Sequence, residues 1–454
     1  MLINEEYTVK IEKLINEGKG LARINNIPVF VDNVCPEDIV RICIKKINKN
    51  YLVGDVVEII EPSKFRIKPI CALSNICGSC NWQHIDYKEQ LRQKENIVKE
   101  TLKNITGIDI EVNQIIPSPK ISEYRCKVQY PVSQKNSGRI IAGYYKKSSH
   151  ELINIKYCPM QNPLINEMME FIKEKAQELN ITAYNERKHI GELRHIIFRL
   201  SSDLKNIIII FAVNKDKIDT KFKTIADILA KRFPMIKGVC INFNQNKSNV
   251  IMGKKTQIIL GDDYYIENIS DKKFRISANS FFQVNPYCGE LMFETVKKLI
   301  KENITNPTIL DAYSGVSSFG IWLSDIASSV VCIEEVESAS IDAKYNVELN
   351  NCKNIEIING DAAKSFENLK KNNIKFDVSV IDPPRKGCDL KALENLVSLT
   401  NNYIVYVSCN VSTLARDLKF LTENKFSPTI VQPIDMFPNT YHTEVITLLK
   451  KEAI

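Results

Sequence analysis

The sequence predicts an α/β protein: a doubly wound, mostly parallel sheet in the C-terminal part, a small β-barrel at the N-terminus and an α+β region between them. Two patterns carry this reading. From about residue 275, short and nearly continuous apolar runs alternate with helical stretches, as strands covered on both faces by crossover helices require. Over residues 1–62, apolar and polar residues instead alternate with period two in five short runs, which suggests a closed barrel of the OB type. The length of 454 residues accommodates about three domains at roughly 150 residues each. A composition of 44% hydrophobic and 25% charged residues excludes disorder, collagen and coiled coil.

Tyr7–Leu14, Gly20–Ile24, Pro28–Val31, Asp38–Ile47 and Tyr51–Ile60 are the barrel strands. Gly18, Gly20, Asn25–Asn26 and Asn48–Asn50 supply turns, and Pro62 closes the segment. A cysteine-rich stretch, Cys71 to Trp82, follows. Tyr87 to Ile105 then carries apolar residues at 87, 91, 98, 102 and 105, a helical spacing that stops at Gly107. Residues 120–270 mix strands and helices, with Ile190–Leu200 and Ile207–Val213 as paired strands and Thr220–Phe233 as a helix. Beyond them, strands are expected at Pro307–Tyr313, Ser329–Glu335, Ile355–Asn359, Phe376–Asp382 and Tyr403–Ser408. Ser338–Asn350 and Leu390–Thr400 are helices between these strands. The division expected is 1–62, 63–270 and 271–454, with the helix 87–105 packing on the last of these.

The longest apolar run, Ile207 to Val213, is far shorter than the ~20 residues of a membrane helix. The N-terminus lacks a basic region followed by an apolar one, so a cytoplasmic protein is expected. Sixty-one Lys and Arg against 54 Asp and Glu give +7, which permits an anionic partner without demanding one. Thirteen cysteines, an odd number in a large chain without an export signal, argue against a disulfide framework. Most of them are expected to be small buried apolar residues.

Cys71, Cys77 and Cys80 form C-x5-C-x2-C, and Cys158 precedes Pro159 at a distance. Four thiolates suit a tetrahedral zinc or an iron–sulfur cluster. Zinc sites usually pair two C-x2-C knuckles and only one is present, so the spacing leans towards a cluster. The bland alternative is chance proximity on a loop. Ile309 to Gly315 ends a strand and opens a helix, where α/β sheets bind nucleotides. The glycine signal is weak, but Glu334 ends the next strand, a placement suited to ribose hydroxyls, and Gly360-Asp361 closes the third. S-adenosylmethionine or a dinucleotide fits these acids better than an ordinary turn does.

Val380 to Gly387 contains Asp382-Pro383-Pro384-Arg385, a stiff turn that projects Asp382 and Arg385 from the carboxyl edge of the sheet. Ser408-Cys409-Asn410 ends the next strand and puts a thiol on the same edge. Thiols attack electrophilic carbon because some thiolate is available near neutral pH. His442 and Glu444, placed on a strand, would share one face and both serve proton transfer, or simply form a solvated face. Between residues 120 and 147, seven basic residues (Lys120, Arg125, Lys127, Lys135, Arg139, Lys146, Lys147) interleave with Tyr124, Tyr130, Tyr144 and Tyr145. Such a stretch suits single-stranded nucleic acid, or else is a solvated hairpin.

Taken together, these motifs resemble the S-adenosylmethionine-dependent RNA uracil-5-methyltransferases, specifically their iron–sulfur-containing bacterial 23S rRNA branch, over essentially the whole chain. Glu17-Gly18-Lys19-Gly20-Leu21-Ala22 looks like the start of that family's TRAM barrel. Asp-Pro-Pro-Arg-Lys-Gly, Ser-Cys-Asn and a Met-Phe-Pro…His-x-Glu ending occur together and in order. The resemblance implies a Rossmann-like methyltransferase domain behind a TRAM barrel and a central α+β iron–sulfur domain. It implies Cys409 as nucleophile and Glu444 as base; Gln283, Tyr313, Glu334 and Asp382 as cofactor contacts; and Cys71, Cys77, Cys80 and Cys158 as ligands of a 4Fe–4S cluster. It implies RNA, 23S rRNA first, as partner, and a monomer away from membranes. Tyr124-Arg125 and Gly143-Tyr144-Tyr145-Lys146 resemble its RNA-facing segment. Ser314 and Ser317 stand where Cys and Gly are usual, Val411 where Pro is common and Cys126 where Asn usually follows Tyr-Arg. The nearest rival, a tRNA uracil-5-methyltransferase, is opposed by the barrel and the cysteine segment, which such enzymes generally lack. A non-catalytic RNA-binding assembly factor is the rival from another class.

Overall fold

The computed structural model describes residues 2–452. The barrel is a six-stranded sheet of β1 (Glu6–Lys10), β2 (Lys13–Leu14), β3 (Gly20–Ile24), β4 (Ile27–Val31), β5 (Ile39–Ile47) and β6 (Leu52–Glu61), in the order β1-β5-β6-β4-β3-β2. The expected first strand is two, because it changes partner: β1 pairs with β5 and β2 with β3. The handover falls at Ile11–Glu12, whose N–H groups donate to Asp38 O and Leu21 O. This curls the sheet around Val9, Ile11, Val29, Val31, Val40 and Ile42. Gly20 allows the curl: a Cβ there would lie 2.2 Å from Val34 Cγ2.

After the cysteine segment, α1 (Tyr87–Thr106) starts on an Asp86 cap that accepts from Lys88 N and ends at Gly107, φ +75°. Its Val98 and Leu102 join the C-terminal core, with Leu414 and Leu418. The central sheet consists of β7 (Lys127–Gln134), β8 (Ile140–Tyr145), β9 (Leu152–Asn154), β10 (Leu193–Leu200), β11 (Ile207–Val213), β12 (Ile236–Phe243) and β13 (Lys255–Gly261). Its order is β13-β12-β11-β10-β7-β8-β9. Helices α2 (Pro163–Glu178) and α3 (Thr220–Arg232) cover one face, packing against Ile207, Ile209 and Phe211. Ile208 and Ile210 point the other way, into a core shared with the C-terminal part. That is why β11 reads as an unbroken apolar run: it is buried throughout. The hairpin of β14 (Tyr264–Ile269) and β15 (Lys272–Ser277) bridges the two parts, and the position 270/271 is its turn.

The C-terminal part runs α4 (Pro286–Asn303), β16 (Thr308–Ala312), α5 (Ser318–Leu323), β17 (Ser329–Glu334), α6 (Glu337–Leu349), β18 (Ile355–Asn359) and α7 (Ala362–Lys371). It continues with β19 (Phe376–Ile381), α8 (Leu390–Leu399), β20 (Thr400–Ser408), α9 (Val411–Glu423), β21 (Phe426–Ile434) and β22 (Glu444–Lys451). The sheet order is β18-β17-β16-β19-β20-β22-β21. β16 to β20 are parallel, and β22 is antiparallel to both its neighbours. The chain reverses its winding between β16 and β19, and there the carboxyl ends of the strands open a crevice. Among the described residues no helix is long and apolar enough to cross a membrane.

Candidate active site

The crevice is walled by the turn after β16, where Tyr313 and Ser317 take φ of +62° and +63°. Ser317 thus holds the left-handed conformation that a glycine adopts without strain. The turn is pinned from below. Asp311, 1% exposed, accepts Gly320 N at 2.9 Å, and Glu334 accepts Gly315 N at 2.8 Å. Burial, with the Asp382 charge behind it, pushes the Asp311 carboxyl up to about 7. A cavity of ≈ 200 Å³ opens over the turn, lined by Tyr313, Glu334, Gly360, Asp361 and Lys386 among others. Acids at the ends of adjacent parallel strands, facing a shaped cavity, suit ribose hydroxyls. Gln283 lies outside that lining, before α4; Arg199 of β10 holds its loop by donating to the carbonyls of Ser277, Ala278 and Ser280, while Asp342 accepts from Ser280 Oγ.

On the same edge, strand register positions the groups that the sequence led us to expect there. Ile381 pairs with Tyr406 and Ser408 with Val445. Continuing the β20–β22 register by one residue sets Cys409 opposite Glu444; the β19–β20 register sets Asp382 opposite Val407, two residues before Cys409, and the charges of both carboxylates reach the Cys409 thiol. Cys409 faces a cavity of ≈ 300 Å³ with Arg385, His442 and, from the barrel, Asn16 and Glu17. Its thiol is pushed up to about 11 by burial and then by the charges of Glu444 and Asp382, against the pull of Arg385. Burial and the neighbouring Asp382 hold Glu444, 4% exposed, well above the usual carboxylate range. Burial raises Asp382 to about 7. Burial lowers His442 to about 4, so it is neutral near pH 7.

His442 and Glu444 do not share a strand face, as the sequence suggested. Residues 441–443 form a loop, and β22 begins at Glu444. That loop is held by buried groups from elsewhere. Lys94 of α1 pairs with Asp435 at 2.5 Å, both fully buried, and donates to Phe437 O at 3.1 Å. Tyr124 donates to Pro438 O, and the amides of Asn81 and Trp82 donate to Asn439 O. Asn16 Nδ2 donates to Ser412 Oγ at 3.0 Å, joining the barrel to the start of α9. The roles of Asn16, Lys94 and Asp435 have no local sequence signal.

Cys71, Cys77, Cys80 and Cys158 are all free thiols and line one cavity together with Arg125 and Tyr144. Among the described residues, no three His, Cys, Asp or Glu side chains are grouped so as to hold a metal ion. The basic and aromatic stretch divides between core and surface. It forms β7 and β8, with Tyr124 and Tyr130 buried and bonded to Pro438 O and Gln161 Oε1. Lys120, Lys135 and Arg139 remain exposed.

A parallel sheet whose last strand slips antiparallel between the fifth and sixth, with acids lining a cavity at the switch point, is the Rossmann-like methyltransferase fold. The tRNA (uracil-5-)-methyltransferase model matches residues 86–452, and the TRAM domain model matches residues 2–57. The chain belongs to the S-adenosylmethionine-dependent RNA uracil-5-methyltransferase family. It is 39% identical over 98% of its length to an uncharacterised RNA methyltransferase of Oceanobacillus iheyensis, 96% of which is covered. It is 37% identical over 98% of its length to one from Clostridium tetani, also covered to 96%. Its structure is similar to that of the Pyrococcus abyssi tRNA (uracil-54, C5)-methyltransferase in complex with S-adenosyl-L-homocysteine. There the TM-score is 0.75 and the identity 25%, covering 98% of this chain and all of that one. The protein is therefore an S-adenosylmethionine-dependent RNA methyltransferase with an N-terminal TRAM barrel.

Proposed function

We propose that the protein methylates carbon 5 of a uridine in 23S rRNA through a covalent adduct with Cys409. The register that sets Cys409 opposite Glu444, with Asp382 following the neighbouring strand on the edge where the cofactor cavity opens, carries this reading. Carbon 5 of uracil is too weak a nucleophile to take a methyl group unaided. Cys409 thiolate adds to carbon 6, and the resulting enolate makes carbon 5 nucleophilic. The cofactor supplies an electrophilic sulfonium methyl. Glu444 then takes the proton left on carbon 5, and elimination of the Cys409 thiolate restores the double bond. Tyr313 and Glu334 line the nucleoside part of the cofactor cavity, with Gln283 and Asp382 as its further contacts. The target base must leave its stack to reach Cys409, and Asn16 and Glu17 place the barrel at the mouth of that cavity.

Cys71, Cys77, Cys80 and Cys158 would hold a 4Fe–4S cluster. Four cysteines lining one cavity supply the thiolate set that such a cluster takes. The donor set also leaves net negative charge, and Arg125, whose Nε has no protein partner, stands beside it. The cluster has no redox step to perform here. Through Asn81 and Trp82 its segment braces the loop before Glu444. The division 1–62, 63–270 and 271–454, a cytoplasmic location and a monomeric state complete this reading.

A tRNA substrate is the second reading, favoured by the solved Pyrococcus tRNA enzyme. That structure matches this chain over its whole length, barrel included, which removes the weight the barrel carried against tRNA. Labelled methyl transfer to unmodified 23S rRNA and tRNA transcripts, with nucleoside mapping, separates the two. 5-Methyluridine in tRNA alone would overturn the rRNA assignment. No methylated base with a cofactor-binding protein would favour an assembly factor.

A further inference from the structure

A large cavity lies away from the Cys409 edge. It is a cleft of ≈ 770 Å³ in the central sheet, walled by β7, β8, the start of β10 and the loops at 149–152 and 184–187. A regular strand would send Arg194 and His195 to opposite faces. The register slips between Leu193 and His195, and through this bulge both line the cleft. Arg194 is 5% exposed, and its guanidinium lies 4.4 Å over the Tyr184 ring. Its terminal nitrogens donate to Asn244 O, Asn246 O and Ser248 O, but its buried Nε has no partner. The buried Nδ1 of His195 has none either. Lys135 and Arg187 are exposed at the rim and have no ion-pair partner among the described residues, whereas the two carboxylates there are engaged. Glu151 pairs with Lys146, and Glu186 lies against His150 and accepts from Tyr145. Tyr145 and His150 lie together, ring centroids 5.6 Å apart, as a further aromatic wall.

We propose that this cleft is a second RNA subsite, which takes one unstacked nucleotide of the strand flanking the target uridine; the proposal rests on the RNA-methyltransferase reading. The base lies against the aromatic wall of Tyr145 and His150, its polar edge meets Arg194 Nε, and adjacent phosphates meet Lys135 and Arg187. Stacking surface, an unused buried donor and unpaired cations in one open cleft are what a single strand requires. Alternate residues of β8 connect the cleft to the rest of the site. Tyr145 faces the cleft, while Tyr144 faces the cysteine cavity, whose segment holds Asn439 of the catalytic loop.

The test is binding of fluorescent RNAs, with and without single-stranded flanks, to the full chain. Lys135→Glu/Arg187→Glu should raise Kd for the flanked RNA about tenfold and lower the salt slope by about 1.4, at roughly 0.7 per lost phosphate contact. Tyr145→Ala should raise that Kd by about tenfold through lost stacking. Trimmed RNA should change less than twofold. Photocross-links from 5-bromouridine in the flank should map to peptides holding Tyr145 or Tyr184. Lys223→Glu/Lys231→Glu, the same charge change on α3, is the control. Equal losses in cleft and control variants, or cross-links only elsewhere, would overturn the subsite. Adenosine monophosphate that binds in the cleft and is not displaced by flanked RNA would overturn it in favour of a free nucleotide. Binding and cross-linking through the cleft without any 5-methyluridine would overturn the catalytic reading and uphold the cleft as an RNA site.

Discussion

Glu444→Gln isolates the last chemical step. Glutamine has the shape of glutamate, and the side chain is buried at the first residue of β22, so the change removes the proton acceptor without opening a cavity. Loss of a positioned general base costs about 10²- to 10⁴-fold, or about 3–5 kcal/mol in the barrier to proton removal. Bond formation should not suffer in the same way. The Glu444 charge helps hold the Cys409 thiol near 11, so its removal moves the thiol down and favours thiolate. The variant should therefore form the adduct and transfer the methyl group once, then stall. With methyl-labelled cofactor and RNA, label should stay with the protein on a denaturing gel, at up to one equivalent, while multiple turnover falls by the factor above. Turnover within threefold of wild type would refute the assignment of Glu444. A folded variant that neither transfers methyl nor forms an adduct would refute the order of steps. The stalled adduct in Asp382→Asn instead would move the base to Asp382.

Cys409→Ala should abolish both methylation and adduct while leaving the melting temperature within a few degrees, because the thiol faces a cavity rather than a core. Lys94→Met strands Asp435 without its buried partner and should cost about 3–5 kcal/mol in denaturant unfolding; Lys94→Met/Asp435→Asn should recover most of it. Burial raises Glu267 from 4.5 to about 7, although Ser202 donates to it. A raised carboxyl stabilises the fold fully below the unfolded value, and that contribution is lost as pH rises through 7. Thermal melts of Glu267→Gln should accordingly show a smaller fall between pH 5 and 8 than wild type; an unchanged or steeper fall would contradict this.

Much of the scaffold was readable because local rules set it. The helix at 87–105 was visible from its apolar spacing and Gly107, and Ile207–Val213 from a run that only a doubly covered strand tolerates. The barrel's first strand was misjudged because its break at Ile11 is a change of partner, and pairing partners are not encoded in a strand's own alternation. Of the tyrosines near 124–145, Tyr124 and Tyr130 are core residues while Tyr145 borders an open cleft, a division hidden from the sequence because a core tyrosine and an accessible one carry the same letter. His442 and Glu444 looked like one strand face, but the loop before β22 is held by Lys94, Tyr124, Asn81 and Trp82, far away in the chain.

By itself the sequence determined the chemistry available to this protein: a thiol after one strand, carboxylates after others, a four-cysteine set, and motifs whose order marks the family. Only the tertiary structure decided that Cys409, Asp382 and Glu444 lie close, that the barrel reaches the Cys409 cavity through Asn16, and that a cleft forms where β10 bulges. Side-chain type and spacing are local properties, whereas register between strands and the packing of separate segments arise from contacts across hundreds of residues.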